Sequence, residues 1–190
     1  MILNTVLDIT RETGFESVNA RSIAKKLQCS TQPVFTCYKN MDDLKNDFLD
    51  FAFEFYNDYV KTYRLPADTD PLLLFPLSYI AFADEETNLF KLLFISEMDL
   101  DMKEAKDFYN ESGNETKVQD FAAAIGIDPE QAKSVFLDLF LYSHGIAVLT
   151  AARKLSLDMR ETEQMTSGLL SALIKQIKTD TYPNTKEVRP

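Results

Sequence analysis

Apolar residues recur at every third or fourth position through most of the chain, which is the spacing of one face of an α-helix. The clearest run begins at Leu44 and continues through Phe48, Phe51, Phe55 and Tyr59. Only five Gly and seven Pro interrupt the 190 residues, which is too little punctuation for an all-β chain with many tight turns. The pattern therefore predicts an all-α fold.

Capping residues and helix breakers set the expected helix boundaries. Gly14 is placed to end the first helix in a left-handed conformation, Asn19 to cap the second helix and Ser30 to cap the third. A long fourth helix begins after Asn40 and breaks near Pro66. The last segment is polar, contains two prolines and is expected to fray. The other predicted helices are residues 1–13, 20–27, 31–38, 70–84, 86–97, 102–111, 115–125, 129–153 and 159–179.

Charge is distributed unevenly along the chain. Overall, 20 Lys and Arg against 30 Asp and Glu give a formal net charge of −10, which argues against an evenly basic, histone-like nucleic-acid protein. Residues 14–40 differ, because their four basic residues, Arg21, Lys25, Lys26 and Lys39, outnumber a single acidic residue. Such a patch is either an ordinary solvated helix face or a surface that contacts phosphates.

The same segment carries an ordered motif: a Gly, an apolar residue and a helix cap, then Arg-x-Ile-Ala-x-x-Leu, a Ser, an aromatic and Lys-Asn-x-x-x-Leu. The matching positions are Gly14, Val18, Asn19, Arg21, Ile23, Ala24, Leu27, Ser30, Val34, Phe35, Tyr38, Lys39, Asn40 and Leu44. This motif, over residues 14–45, resembles the DNA-binding head of the TetR/AcrR family of bacterial transcriptional regulators. The resemblance implies a three-helix head with a helix-turn-helix in residues 1–45. It also implies a helical effector-binding and dimerisation domain in residues 46–180, followed by the frayed tail at 181–190.

The N-terminal end of the third helix supplies the candidate DNA contacts, because a recognition helix presents these side chains to base edges in the major groove. Thr31, Gln32 and Thr36 are expected to contact bases, and the Gln32 amide can form a bidentate pair with adenine. Arg21 and Lys39 are expected to contact phosphates. The complete candidate set is Arg21, Ser30, Thr31, Gln32, Pro33, Phe35, Thr36, Tyr38 and Lys39.

Three positions depart from the family pattern. Gln28 stands where the family usually has Gly, at a helix end that favours positive φ, so we expect strain or a different turn there. Phe35 lacks the hydroxyl of the usual Tyr, and Met41 stands where Lys is common. These departures leave an alternative open, a helical small-molecule or protein-binding module whose operator binding is weakened or lost.

Aromatic residues are concentrated in the middle of the chain, where twelve of the fourteen Phe lie between Phe48 and Phe140. The resemblance implies an effector pocket among these helices, and the scarcity of charges there favours a small apolar or aromatic effector. The candidates are Phe55, Tyr59, Phe75, Tyr79, Phe82, Phe90, Phe94, Phe108, Phe136, Phe140 and His144. A filled core is the alternative for the rings, and a hydrogen-bonded core position is the alternative for the single His.

Two long stripes of apolar and small residues occupy the last two predicted helices. The resemblance implies that these helices pair with those of a second copy in a four-helix homodimer interface. The candidate contacts are Val135, Leu139, Ile146, Thr150, Met165, Leu169 and Leu173. A buried monomer core is the alternative for this set.

Several classes of function find no support in the sequence. It has no P-loop, no dinucleotide-binding or metalloprotease motif and no catalytic His spacing, so we expect no enzyme activity, cofactor or metal. Cys29 and Cys37, eight residues apart, are expected to be small buried or half-buried side chains rather than a redox pair or a zinc site. No basic N-terminal signal and no long apolar run are present, so we expect a cytoplasmic protein that binds no membrane.

The head motif and the aromatic body together predict a function. The chain is expected to be a homodimeric, ligand-responsive transcriptional repressor, which a small apolar or aromatic effector releases from its double-stranded DNA operator.

Overall fold

All secondary structure in the described part of the chain is helical. The structure, a computed structural model, describes residues 1–98 and 114–179, and these contain no β-strand. The all-α prediction is confirmed. The α-helices are α1 (Ile2–Thr13), α2 (Ala20–Lys26), α3 (Gln32–Cys37), α4 (Met41–Thr62), α5 (Leu74–Glu85), α6 (Thr87–Lys91), α7 (Asn114–Ile125), α8 (Pro129–Ala151) and α9 (Met159–Lys178). The predicted helix at 102–111, with Phe108, and the tail at 181–190 lie outside the described residues.

Capping explains how α2 begins. The Asn19 side chain accepts hydrogen bonds from the backbone N–H groups of Arg21 and Ser22, both at 3.0 Å, and the Ser22 hydroxyl accepts one from the Asn19 N–H. The prediction that Asn19 caps this helix is confirmed. The prediction for Ser30 is wrong. Thr31 occupies the N-cap position of α3 and makes no side-chain cap bond, and its backbone is already helical, with φ −75° and ψ −11°.

The segment predicted as one helix at 86–97 changes its winding part of the way along. It is α-helical only through α6 and then widens into a π-helical turn at Leu92–Ser96. The backbone N–H of Glu97 closes this turn by donating to the Leu92 carbonyl at 2.9 Å. The wider turn accompanies the burial of three consecutive side chains, Leu92, Leu93 and Phe94, which a regular helix would spread over more than half of its circumference.

The first four helices share one core. Val6 of α1 and Ile23 of α2 are completely buried together with Leu44 and Phe48, which lie on the first half of α4. The Phe15 ring, in the short 3-10 turn after α1, stacks on Phe48 with a centroid distance of 5.6 Å. α4 therefore forms one wall of this N-terminal core. Its second half continues into the body, which is the part of the fold made by α5 to α9.

α5 and α8 form the centre of the body, with α4, α6, α7 and α9 around them. Every residue of α5 from Pro76 to Ala83 is buried. By length and composition, α8 is the one described helix that could cross a membrane, but 56% of its apolar stretch is buried inside the chain. A core helix has this character, and the finding is compatible with a soluble protein.

The turn between α2 and α3 contains a residue in an unfavourable conformation. Gln28 has a φ of +53°, as expected for the position where the family pattern has Gly. The Cys29 N–H donates to the Ala24 carbonyl at 3.0 Å and the Gln28 N–H donates to the Lys25 carbonyl at 3.2 Å, which are the two bonds of a Schellman motif. This backbone conformation costs a residue with a Cβ about 1–2 kcal/mol, whereas glycine adopts it freely.

We expect Gln28→Gly to raise the free energy of unfolding by about 0.5–1 kcal/mol, because the relieved Cβ clash exceeds the entropy that glycine adds to the unfolded chain. Urea unfolding followed by circular dichroism measures the change. Gln119→Gly, at an exposed position in the middle of α7, is the control and should lower the same free energy by about 1 kcal/mol. A comparable decrease for Gln28→Gly would contradict the strain at this turn.

Candidate nucleic-acid interface and ligand clefts

α3 is held to the rest of the chain by a small part of its surface. Of its six residues only Val34 is buried, at 1% exposure, whereas Gln32, Pro33, Phe35 and Thr36 are exposed. The Phe35 ring is 54% exposed. α3 therefore presents to solvent a face that is uncharged, able to form hydrogen bonds and partly apolar.

The other candidate DNA contacts lie on neighbouring segments. Arg21 on α2, Ser30 in the turn and Lys39 after α3 are exposed, and Thr31 and Tyr38 are half-buried. Because α2 packs against α3, these residues come from adjacent elements. None of the nine candidates is buried.

Basic side chains border α3. Arg21, Lys25 and Lys39 are exposed and form no ion pair with any residue of the described segments. The Lys26 Nζ lies 2.6 Å from the Glu12 carboxylate. An exposed pair of this kind is worth about 0–1 kcal/mol and is screened by salt, so most of the positive charge in this segment remains available to an anionic partner.

Both cysteines are exposed, so the prediction that they are buried or half-buried is wrong. Cys29 lies in the turn after α2 and Cys37 is the last residue of α3, where only Val34 points into the core. The Cys29 thiol donates to the Ser30 carbonyl at 3.2 Å. Within residues 1–98 and 114–179, no group of three or more His, Cys, Asp or Glu side chains is placed to hold a metal ion.

The aromatic residues of the body form one packed cluster. Tyr79 lies in it with its ring centroid 5.3 Å from Phe90 and 5.1 Å from Phe94, both in edge-to-face contact. Phe75 and Phe136 stack at 5.6 Å. Aromatic pairs of this geometry contribute about 0.5–1.5 kcal/mol beyond the burial of their area. The described rings therefore pack against one another as a core.

The predicted effector residues occupy two kinds of position. Buried in the cluster are Tyr79, Phe82, Phe90, Phe94, Phe136 and Phe140. Half-buried are Phe55, Tyr59, Phe75 and His144. None of these ten lines the open cleft between α5, α8 and α9 or the one between α1 and the end of α5.

His144 is joined to the cluster by a hydrogen bond. Its Nδ1 lies 2.9 Å from the Tyr79 hydroxyl, and its ring stacks on Phe140 at 5.6 Å. Burial lowers the pKa of His144 and raises the pKa of Tyr79, so both side chains are neutral at pH 7. The tautomer of the neutral imidazole decides whether the Tyr79 O–H or the His144 Nδ1–H is the donor in this bond.

Sequence reasoning missed both clefts. The larger one, of about 340 Å³, lies between α5, the end of α8 and the start of α9, with Arg153 in its wall. The smaller one, of about 270 Å³, is lined by Asp8, Arg11, Glu12, Glu85 and Glu86. One local sequence feature could have indicated the larger cleft. It is on α5, where a face that begins with Leu77 and Ile80 ends in Asp84 and Glu85.

Arg11 links the first helix to the body. Its guanidinium donates to both Glu86 carboxylate oxygens, at 2.6 and 2.7 Å, and lies 5.7 Å from the centroid of the Phe55 ring. The bond to Glu86 is the main reason that the pKa of Arg11 is raised. The Asn88 amide donates to the Arg11 carbonyl at 3.0 Å. Two parallel charge-assisted bonds fix the direction of the Arg11 side chain as well as its distance from Glu86.

Most of the candidate dimer contacts lie inside the core of the chain itself. The buried members are Val135, Leu139, Ile146, Thr150 and Leu173. Leu169 is half-buried, and Met165 is 40% exposed. Because α8 packs against α5, α7 and α9, its exposed face instead carries Leu141, Gly145 and Leu149, four residues apart. The five buried side chains stabilise the single chain and are not available to a second copy.

Folding stability should depend on the protonation of His144. Because burial lowers the pKa of His144 below its ordinary value of 6.5, the unfolded chain binds this proton more tightly than the folded chain. The free energy of unfolding therefore falls as the pH drops below about 6.5, and this contribution is lost in full below the folded-state pKa. Urea unfolding between about pH 8 and pH 5 measures the loss. His144→Gln should lose less stability over this range, and parallel curves for the two proteins would refute the prediction.

Comparison with known proteins assigns neither a family nor a function to the chain. No family model matches the chain, and no curated protein is significantly similar to it in sequence. A function has to follow from the exposed face of α3, the charges beside it, the aromatic cluster and the clefts of the body.

Proposed function

We propose that the chain is a ligand-responsive, DNA-binding transcriptional regulator of the TetR/AcrR type. In this proposal α2 and α3 form a helix-turn-helix that binds a double-stranded DNA operator. The protein acts as a homodimer in the cytoplasm and represses transcription until a small apolar or aromatic effector releases it. Support comes from the sequence motif over residues 14–45 and from the exposure of α3.

The exposed face of α3 is the observation that carries this proposal. α3 has no charged side chain, so nothing on the helix itself repels phosphates. Gln32 and Thr36 offer hydrogen-bonding groups for base edges, and Pro33 offers an apolar surface for a thymine methyl group. Arg21 and Lys39 carry the positive charge that phosphates require. We therefore assign Gln32, Pro33 and Thr36 to base contacts and the two cations to contacts with the DNA backbone.

The aromatic cluster is the proposed route by which an effector acts. Tyr56 brings α4 into the cluster, with its ring 5.0 Å from Phe82 and 4.9 Å from Phe94. Because the described rings are packed, an apolar effector enters only if some of them move, and their movement displaces Tyr56. α4 begins at Met41, shortly after α3, so a displaced α4 changes the position of the proposed recognition helix.

A homodimer completes the proposal, because two recognition helices are needed for half-sites about 34–36 Å apart. The apolar surface available for it includes Leu141 and Leu149 on α8, 49% and 47% exposed, and Met165 on α9. Nothing lies within 4 Å of a Cβ built at Gly145 or Gly168, which leaves room for a second helix to approach closely. Exposed apolar residues on neighbouring helices favour a protein interface.

Phe35 favours a second candidate function. A ring that is 54% exposed on an uncharged face also suits an apolar protein partner or ligand. Lys26 is paired with Glu12, and Met41 stands at a position where the family pattern commonly has Lys. Both facts reduce the positive charge available to DNA. The alternative is a helical small-molecule or protein-binding module whose operator binding is weakened or lost.

Binding of the full chain to DNA from its own upstream region tests the main proposal. We expect the logarithm of the association constant to fall with the logarithm of the salt concentration, with a slope of about −0.9 per phosphate contacted. Arg21→Ala removes one such contact and should make the slope shallower by about 0.9. Gln32→Ala should weaken the free energy of binding to the operator by about 1–3 kcal/mol, because it removes a base contact. It should weaken binding to unrelated DNA much less. Mobility shifts across a salt series measure both effects.

Lys61→Ala is the control for this experiment, because Lys61 is an exposed cation at the opposite end of α4 from α3. It should leave DNA binding unchanged. An Arg21→Ala, Gln32→Ala double variant that binds the operator as the unaltered chain does would refute the assigned contacts. Thermal stabilisation by apolar ligands without any DNA shift would favour the alternative function.

The homodimer is tested by Leu149→Glu. A carboxylate on an apolar interface loses its hydration without gaining a partner, so we expect the dimer dissociation constant to rise at least about tenfold. Ile95→Glu, at another exposed apolar position, is the matched control and should dimerise normally. Analytical ultracentrifugation measures both. A monomeric unaltered chain, or equal dimerisation of the two variants, would refute the proposed face.

A further inference from the structure

The larger cleft changes chemical character along one of its walls. That wall is a single face of α5, on which Leu77, Ile80 and Ala81 are followed by Asp84 and Glu85. Because α5 runs in one direction, the apolar side chains and the carboxylates lie at opposite ends of the wall. A molecule that fills the cleft along α5 therefore meets an apolar surface at one end and charges at the other.

The opposite side of the cleft supports the same division. Arg153, just beyond α8, donates from Nη1 to Asp84 at 2.8 Å and from Nη2 to the Thr87 hydroxyl at 3.3 Å, which places it at the charged end. Lys154 also lines the cleft; like Glu85 it is exposed, and it forms no ion pair with any described residue. Leu157 contributes apolar surface.

One carboxylate at the charged end, Glu85, forms no ion pair with a described side chain, although the lining holds two cations and two carboxylates. Arg153 neutralises Asp84, whereas the Glu85 carboxylate accepts a hydrogen bond from a neutral group, the Tyr59 hydroxyl, at 2.9 Å. Glu85 has no cationic partner within the described residues. The C-terminal ends of α5 and α8 and the N-terminal end of α9 all lie at this cleft, so the partial charges of the helix ends oppose one another.

The smaller cleft, on the other side of Glu85, has an excess of carboxylates. Glu85 lines both clefts, and in the smaller one Arg11 is the single cation beside four carboxylates. Arg11 is already bonded to both oxygens of Glu86. Glu85 therefore lines both clefts as an exposed carboxylate that forms no ion pair with any described side chain, and this leaves it open to a cationic ligand.

We propose that the larger cleft binds a small amphipathic organic cation, an amine with an apolar chain or ring. The ammonium group donates to Glu85 at the end of α5, and the apolar part lies against Leu77 and Ile80. The volume of about 340 Å³ is near the lower end of the range of about 300–1,000 Å³ for small-molecule sites, which suits a chain of about eight carbons. This site lies outside the aromatic cluster, which it meets through the Tyr59–Glu85 hydrogen bond, and it does not depend on the proposed DNA binding.

Calorimetric titration of the full chain with octylammonium, octanoate and octanol tests the charge preference. We expect octylammonium to bind at least about tenfold more tightly than the other two, because only its head group pairs with the free carboxylate. Glu85→Gln retains an acceptor for Tyr59 and should weaken octylammonium binding about threefold to tenfold. Glu54→Gln, an exposed carboxylate on α4 outside both clefts, is the matched control and should leave the affinity unchanged.

A second pair of variants tests the location. Ser156 is an exposed residue that lines the cleft, and Ser156→Trp should block it and abolish binding, whereas Ser96→Trp, on an exposed residue elsewhere, should not. Thermal unfolding followed by circular dichroism establishes that each variant is folded. The proposal is overturned if octylammonium does not saturate the chain below about 1 mM, if octanoate binds as tightly, or if folded Ser156→Trp and Glu85→Gln both bind as the unaltered chain does.

Discussion

The buried face of α4 ties the N-terminal helices to the body. Leu44 and Phe48 belong to the core that α4 shares with α1 and α2, and Ala52 and Tyr56 continue the same four-residue spacing into the aromatic cluster. Leu44 and Tyr56 are separated by about 18 Å along the helix axis. Because all four side chains are no more than 8% exposed, α4 cannot tilt at one end without repacking the other. In the proposed regulator, this shared packing is what would transmit a rearrangement of the aromatic rings to the N-terminal helices.

Ion pairs contribute less to this connection than packing does. The pairs Arg11–Glu86 and Lys45–Glu97 both join the first four helices to the region of α5 and α6. Partly exposed pairs are worth about 0–1 kcal/mol each, whereas the burial of Phe48 alone is worth about 1.5–3 kcal/mol. The bidentate bond of Arg11 therefore serves mainly to set the direction in which α1 meets the end of α5, and the packing of α4 on α5 and of α1 on α6 contributes more stabilising free energy.

Features that depend on one helical turn could be predicted from the sequence, and features that depend on packing could not. The cap at Asn19 and the positive φ at Gln28 follow from neighbouring residues, and both are present. The cap at Ser30 fails because the backbone of the next residue is already helical. Whether Leu139 or Leu141 faces the core depends on how α8 packs against other helices, above all against α5, which is distant in sequence. The same holds for the aromatic stripe, since a lined pocket and a filled core have the same helical period.

The repulsion between the carboxylates at the end of α5 is only partly compensated by neighbouring side chains. Three consecutive carboxylates, Asp84, Glu85 and Glu86, lie at a helix C-terminus, where the helix dipole already favours cations. Arg153 from beyond α8 compensates the first and Arg11 from α1 compensates the third. Each of these arginines thereby joins another helix to α5, so the repulsion between the carboxylates is offset by contacts that also hold the fold together. The middle carboxylate is left with a neutral partner beside an open cleft. We therefore expect a cationic ligand to gain more there than among the buried rings of the aromatic cluster, which carry no charge.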